Sequence, residues 1–182
     1  MPFSLTLKRA SRAVLLPAVV LLLALGGCSS AAVPVAEGSA ASSASGWTYT
    51  DDIGNTVTLD HVPAKVAGFT DQVLSLMSYG VKPVAVFGRT DVKSDTRFAD
   101  YDMTGVAITG NTYGEIDLEA LASAQPDLIV TGIYPTDRKG TIDKTQPYYG
   151  FKDLEQQKKL EAIAPIVTIK AGGAVLDVIK AN

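Results

Sequence analysis

The sequence predicts an α/β fold in which a parallel β-sheet carries helices on both faces and is preceded by a β-hairpin. From residue 65 onward, short apolar segments alternate with segments that carry helix start and stop signals. This alternation is typical of parallel sheets that are covered on both faces. Before residue 65, two β-rich segments flank a stretch of turn-forming residues, which is typical of a hairpin.

The predicted hairpin comprises Trp47–Thr50 and Thr56–Leu59, whose residues alternate and are mostly β-branched or aromatic. The turn between them contains Asp51, Asp52 and Asn55, which would also suit a calcium loop. The EF-hand spacing and its closing glutamate are absent, so we interpret these residues as turn-forming.

The remaining elements follow in a regular order. The predicted strands are Lys65–Phe69, Pro83–Phe87, Val106–Ile108, Asp127–Thr131 and Pro165–Ile169. The first predicted helix is capped by Thr70 or Asp71 and ends at Tyr79, before Gly80. The second begins at the cap Asp117 and ends at Ala124, and the third spans Asp153–Ile163. Capping residues at the starts of the first two helices, and Gly80 and Pro126 after them, are the usual helix boundaries.

The first 27 residues are predicted to be a secretory signal peptide. Basic residues without any acid precede an apolar run from Val14 to Leu25, and small residues follow this run. The run is shorter than the roughly 20 residues that span a bilayer. Leu25-Gly26-Gly27-Cys28 resembles a bacterial lipobox, which implies that Cys28 is lipidated and becomes the mature N-terminus. The alternative is a buried core cysteine.

The rest of the chain divides into a tether and a folded domain. Residues 28–46 are dominated by Ala, Ser, Gly and Val, so we expect a flexible tether, although an ordinary disordered terminus would have the same composition. Residues 47–182 have the length of one domain. The single cysteine excludes internal disulfides, and the single histidine, His61, excludes a metal site that needs two imidazoles. We expect His61 in an exposed loop. The net charge of −3 argues against general nucleic-acid binding.

The loops at the carboxyl ends of the strands supply the candidate ligand-binding residues, because this edge of a parallel sheet is where ligands bind. The candidates are Phe69, Thr70, Asp71, Arg89, Tyr113 and Tyr134, together with Tyr148 and Tyr149 from the long connection 132–152. One arginine among aromatic and hydroxyl groups suits a polar or chelating ligand with negative oxygens. In the alternative, Arg89 pairs with Asp91 and Phe69 belongs to the core. Tyr113 and Tyr134 would then cover loop backbone, and Tyr148 and Tyr149 would pin the long connection to the domain. Phe151 is expected to pin the long connection to the domain.

The sequence lacks the motifs that would indicate catalysis. It has no Gly-x-Ser-x-Gly elbow, no Walker A loop and no Gly-x-Gly-x-x-Gly after a strand. A Ser–His–Asp arrangement would need His61, which lies away from the predicted binding edge. Glu115, Asp117 and Glu119 are interpreted as acids that stabilise a helix start. We therefore expect a protein that is not an enzyme.

Four segments together resemble the siderophore-binding lipoproteins of ABC importers. They are residues 51–67 with Asp51–Leu59 and Pro63–Ala67, then Gly80–Val86, then Ile116–Leu121 with Gln125–Val130, and Leu160–Val167. The resemblance covers about residues 47–170. It implies a Rossmann-like lobe, one of two that are joined by a long, rather rigid helix and hold the ligand between them. Cobalamin and haem binders share this fold, whereas zinc importers that use several histidines are excluded.

The resemblance implies an extracytoplasmic binding component, anchored to the bacterial cell membrane through Cys28. It would capture a ferric siderophore, without a cofactor or resident metal, and deliver it to an ABC permease. By its position in the motif Asp117-Leu118-Glu119, Glu119 is implied to face arginines of the permease; alternatively it is a helix-surface acid. Residues 174–182 resemble the start of the connecting helix. We therefore expect only the N-terminal lobe and weak ligand binding by this chain alone. The alternative function is a surface-anchored domain with an enzymatic or adhesive role.

Overall fold

The computed structural model describes residues 46–172 of the chain. The predicted signal peptide, the lipidation site Cys28, all but the last residue of the predicted tether, and the helix expected over residues 174–182 lie outside the described residues.

The chain begins its described part with the predicted hairpin, which is confirmed. Strands β1 (Trp47–Thr50) and β2 (Thr56–Leu59) pair antiparallel as a separate two-stranded sheet. The carboxylate of Asp51 closes the turn by accepting a hydrogen bond of 2.7 Å from the backbone N–H of Asn55. The same carboxylate accepts a hydrogen bond of 2.7 Å from the hydroxyl of Thr168. The turn residue is therefore also the group that holds the hairpin against the main sheet.

The main sheet of the described residues has five parallel strands in the order β5-β4-β3-β6-β7. They are β3 (Val66–Phe69), β4 (Ala85–Phe87), β5 (Ala107–Gly110), β6 (Leu128–Ile133) and β7 (Ile166–Lys170). The predicted parallel sheet is confirmed. Each strand begins one or two residues later than predicted. For β7 the reason is that Pro165, directly before it, has no N–H to donate to the ladder.

Alternate residues of the strands build a core on each face of the sheet, because successive side chains of a strand point to opposite faces. On one face, helix α1 (Thr70–Ser78) packs Val73 and Met77 against Val66, Val86, Leu128 and Val130. On the other face, Leu121 of helix α2 (Leu118–Ser123) and Leu160 of helix α3 (Leu154–Glu161) pack against Ala67, Phe69, Phe87 and Ile129. Both faces are covered, as predicted.

Of the predicted helix starts, that of α2 is confirmed, that of α3 lies one residue later than predicted, and that of α1 is wrong. Asp117 and Asp153 cap α2 and α3 by accepting hydrogen bonds from the N–H groups of Ala120 and Gln156, at 2.9 and 2.8 Å. The prediction that Thr70 or Asp71 caps α1 is wrong. Phe69 occupies that position without a side-chain hydrogen bond, because β3 continues into α1 with no connecting residue.

Candidate ligand-binding site

The carboxyl edge of the sheet brings most of the candidate residues together. Phe69 is the last residue of β3, Arg89 follows β4, and Tyr134 follows β6 directly. Tyr113 lies in the connection after β5. Since all these strands run in the same direction, their ends meet at one edge of the sheet.

Tyr149 is the centre of this edge. Its ring centroid lies 5.1 Å from that of Phe69, 5.2 Å from that of Tyr113 and 4.5 Å from that of Tyr134. We call these four rings the aromatic cluster; their edge and tilted arrangements are those that aromatic pairs favour. Phe69 is fully buried and forms the floor of the cluster, whereas Tyr113 and Tyr134 are 46% and 42% exposed. The cluster therefore presents two tyrosine side chains to solvent on a buried support.

The backbone of the long connection holds Tyr149 in place. The Tyr149 N–H donates a hydrogen bond of 2.9 Å to the carbonyl of Gly132 in β6, and the Thr131 hydroxyl donates to the Tyr149 carbonyl. Gly150 has a φ of +92°, and a Cβ on this residue would lie 2.5 Å from Cδ2 of Phe69. A glycine is required here because the connection crosses the Phe69 ring at close range.

Arg89 joins the aromatic cluster rather than its sequence neighbour. Its Nη1 donates a hydrogen bond of 3.0 Å to the Tyr149 hydroxyl, and this bond raises the pKa of Arg89. In the described part of the chain, Asp91 accepts a hydrogen bond from the N–H of Lys93 and makes no ion pair with Arg89. The alternative in which Arg89 pairs with Asp91 is therefore not what the structure shows. The arginine lies at the edge of the sheet, and its other nitrogens make no hydrogen bond to residues 46–172.

A second arginine, Arg97, was missed by the sequence analysis. Its Nη1 donates to Oδ1 of Asp71 at 2.7 Å, and its Nη2 donates to Oδ2 of Asp95 at 2.6 Å. These hydrogen bonds, first that to Asp95, raise the pKa of Arg97. Arg97 lies in a 3-10 turn between β4 and β5, Thr96–Phe98, and not directly after a strand. Residues directly after strands therefore did not include it. The spacing of Asp95 and Arg97, two residues apart, is compatible with an ion pair within one turn.

The structure places Thr70 and Tyr148 away from the exposed part of the cluster. Thr70 is 3% exposed and lies beneath the loop at Gly88. The Tyr148 hydroxyl accepts a hydrogen bond of 2.9 Å from the Asn55 side chain, and its ring packs against Phe151. Phe151 is buried, as expected for a residue that pins the connection. Ligand contact by Thr70 and Tyr148 stays a prediction.

A shallow groove of about 150 Å³ opens beside the aromatic cluster. It is lined by Tyr113, Ile133, Tyr134, Thr136, Asp143, Gln146, Pro147 and Tyr149. Pockets that enclose a small ligand are larger, at roughly 300–1,000 Å³. A mostly apolar cleft of about 380 Å³ lies elsewhere, beside Val92, Phe98, Met103 and Ile108. It has no aromatic cluster, so the groove is the better candidate despite its smaller volume.

Three further observations concern metal binding, membrane-spanning helices and the surroundings of Glu119. Within residues 46–172, no group of three or more His, Cys, Asp or Glu side chains is placed to hold a metal ion. No helix in that range is both long and apolar enough to cross a membrane. Glu119 lies exposed in the first turn of α2, and none of the ion pairs found in that range involves it.

His61 lies at the opposite edge of the sheet. It is exposed, as predicted, and its ring nitrogens contact the carboxylates of Asp60 and Asp127. These hydrogen bonds, first that to Asp60, raise the pKa of His61. The residue takes no part in the candidate site.

The comparisons with known proteins find similar solved structures. No protein-family model and no curated protein matches the chain. Among solved structures, DesE, a ferric-siderophore receptor protein from Streptomyces coelicolor, is 34% identical with a TM-score of 0.54, over 68% of this chain and 40% of that chain. Holo-ViuP is 21% identical with a TM-score of 0.50, over 68% of this chain and 38% of that chain.

The match with DesE covers only part of the DesE chain. The chain spans about 40% of the length of DesE. The likeness to holo-ViuP is one of fold, whereas the likeness to DesE extends to sequence. The predicted fold class and the family resemblance are both confirmed for this part of a binding-protein domain.

Proposed function

Because this chain contains part of a substrate-binding domain of the ferric-siderophore type, we propose that it captures a ferric siderophore for an ABC permease. The observation that carries the proposal is the aromatic cluster with Arg89, at the carboxyl edge of a parallel sheet in this fold. The role is binding, not catalysis. The siderophore is the ligand and not a cofactor.

The geometry supports binding from one side of the ligand. The exposed rings of Tyr113 and Tyr134 offer flat contact surfaces for the organic part of a chelate. Arg89 holds its guanidinium beside them and can donate to negative chelate oxygens. The groove is too small to enclose such a ligand. In this proposal a second lobe covers the opposite side of the ligand, so the chain alone binds weakly.

The proposed location is outside the cytoplasm, at the bacterial cell membrane. It rests on the signal-peptide pattern of residues 1–27, on the lipobox-like sequence that ends at Cys28, and on the composition of residues 28–46. A lipid on Cys28 would keep the binding domain close to its permease.

We also propose that Glu119 contacts the permease. Its carboxylate is exposed in the first turn of α2, and an exposed acid can steer and orient a protein toward a basic surface. The basic surface would be arginines of the permease, as the family resemblance implies.

The binding test is a titration of the full chain with Ga(III) siderophores, followed by NMR. Gallium is diamagnetic and takes the same oxygen donors as Fe(III), so millimolar affinities are measurable. We expect the largest chemical-shift changes at Tyr113, Tyr134 and Tyr149. Unchanged spectra with hydroxamate and catecholate complexes alike would contradict the proposal, as would changes confined to the cleft at Val92 and Phe98.

The cellular test is deletion of the intact gene in the organism that encodes the chain. We expect slow growth when a ferric siderophore is the only iron source, and normal growth with excess ferrous iron. Growth at the parental rate on every ferric siderophore, or turnover of a substrate by the purified chain, would favour the adhesive or enzymatic alternative.

A further inference from the structure

At the carboxyl edge of the sheet, the proposed function does not account for Arg97, which is paired with two carboxylates. Its guanidinium contacts Asp71 at 2.7 Å and Asp95 at 2.6 Å. The two carboxylates are less exposed than the arginine, at 24% and 10% of the side chain against 45%. We call these residues the Asp71–Arg97–Asp95 group. With two carboxylates for one guanidinium, the group has a surplus of one negative charge.

Asp71 links this group to the aromatic cluster. Besides the hydrogen bond to Tyr149, the negative charge of Asp71 adds to the raised pKa of Arg89. Burial raises the pKa of Tyr134, and the charge of Asp71 adds to this shift as well. Asp71 is therefore close enough to act electrostatically on Arg89 and on an exposed tyrosine of the aromatic cluster.

Among the residues that contact the aromatic cluster or line its groove, the charges are therefore close to balanced. The positive charge of Arg89 offsets the surplus negative charge of the Asp71–Arg97–Asp95 group. The lining of the groove contributes one further charged residue, and it is the carboxylate Asp143. Arg89 and Arg97 would both attract anions to the aromatic cluster if they were free, but Arg97 is already paired with Asp71 and Asp95.

Ferric chelates differ sharply in charge. Six deprotonated catechol oxygens around Fe(III) leave a strongly anionic complex, whereas three hydroxamates leave an uncharged one. A strongly anionic chelate finds few countercharges beside the near-neutral aromatic cluster. Its charges would stay unpaired, and unpaired charge is costly to bury. An uncharged chelate does not meet this cost, and it still accepts hydrogen bonds from Arg89.

We propose that Asp71 is a specificity-determining residue that pairs with Arg97 and so restricts the site to ferric chelates of low charge, of the trishydroxamate type. The proposal rests on the proposed function, since it concerns which siderophore that site accepts. It assigns Asp71 the negative role of excluding triscatecholates rather than contacting the favoured ligand. Rejecting a competitor by leaving its charges unpaired is a common way to achieve specificity.

The test compares two probes on the full chain by NMR titration. One is Ga(III) ferrichrome, an uncharged trishydroxamate, and the other is Ga(III) enterobactin, a strongly anionic triscatecholate. We expect ferrichrome to bind at least about tenfold more tightly. In Asp71→Asn, which frees Arg97 from one carboxylate, we expect the ratio of the two affinities to shift about tenfold toward enterobactin.

Two variants serve as controls. Asp71→Glu keeps the charge, and Asp102→Asn removes an acid that is ion-paired with Lys82 on the loops at the other edge of the sheet. Both are expected to leave the ratio unchanged. Because both ligands are measured on the same sample, the ratio does not depend on how much of a variant is folded.

The outcomes separate the inference from the proposed function. Equal or tighter binding of enterobactin by the unmodified chain, or an unchanged ratio in Asp71→Asn, would overturn the role of Asp71 and leave siderophore binding intact. Binding of neither probe at millimolar concentration would overturn both.

Discussion

The Tyr149 hydroxyl accepts a hydrogen bond of 3.0 Å from Nη1 of Arg89, which joins the long connection after β6 to the loop after β4. The two residues lie 60 positions apart in the chain. The bond places a positive charge beside an aromatic surface, which is the combination that a chelate with negative oxygens requires.

Arg89→Ala is expected to weaken the binding of Ga(III) ferrichrome about tenfold, because a charge-assisted hydrogen bond to the chelate is lost. Tyr149→Phe keeps the ring and removes only the hydroxyl that orients Arg89, so we expect a smaller loss of about threefold. Both are measured by NMR titration. Lys65→Ala, a change at the opposite edge of the sheet, is the control. If Arg89→Ala binds like the control, Arg89 does not contact the ligand.

Glu119→Lys is expected to reduce siderophore-dependent iron uptake about tenfold, because the reversed charge repels a basic surface on the permease. Ligand binding by the purified chain should not change. Uptake of radiolabelled iron by cells that carry the intact gene is the measurement. Glu161→Lys, an equal charge reversal at the last residue of α3, should leave uptake normal. Normal uptake in Glu119→Lys would remove this residue from the permease contact.

Gly150→Ala is expected to destabilise the domain by about 2 kcal/mol or more, because the new Cβ would lie 2.5 Å from the Phe69 ring at a φ of +92°. Gly54→Ala is the matched control: its φ is +86°, but no atom lies within 4 Å of the added Cβ. We expect the control to lose only about 1 kcal/mol, from the backbone conformation alone. Urea denaturation measures both. Equal losses would show that the connection can move off Phe69.

The pH dependence of His61 follows from its contacts with Asp60 and Asp127. Its pKa is raised above the ordinary value of 6.5, so the protonated form is favoured in the folded state. The stability that it contributes is complete below pH 6.5 and is lost as the pH rises through the raised pKa. Since His61 is the only histidine, its imidazole proton signals report this pKa directly by NMR.

Asp60→Asn should lower the pKa of His61, because the hydrogen bond to Asp60 is the largest cause of the shift. Asp143→Asn, a change at the carboxyl edge, should leave it where it is. A His61 signal that titrates at or below 6.5 in the unmodified chain would contradict the contact geometry.

The secondary structure was largely predictable because its signals are local. The capping acids Asp117 and Asp153 sit directly before the helices that they start, and Pro83 and Pro165 precede their strands. The start of α1 was not predictable in this way. Thr70 and Asp71 are good capping residues by type, but the absence of a connecting residue after β3 puts Phe69 in the capping position.

The candidate site was predictable only in part. Tyr148 and Tyr149 have different surroundings: the Tyr148 hydroxyl bonds Asn55, whereas the Tyr149 ring lies in the aromatic cluster. The pattern could not tell which of the two lies there; the hydrogen bond between Tyr149 and Gly132 decides it. Arg97 was missed because it reaches the edge from a turn inside a connection, through its length and its pairing with Asp71.

The sequence by itself determined the alternation of strands and helices, the edge at which a ligand would bind, and the family that the chain resembles. These depend on the order of apolar segments and on turn and cap residues, which act over a few positions. Only the tertiary structure decided which side chains meet at that edge and which charges cancel there. Such contacts join residues as far apart as Asp71 and Arg97 or Arg89 and Tyr149, and their distances depend on how the loops pack over the whole sheet.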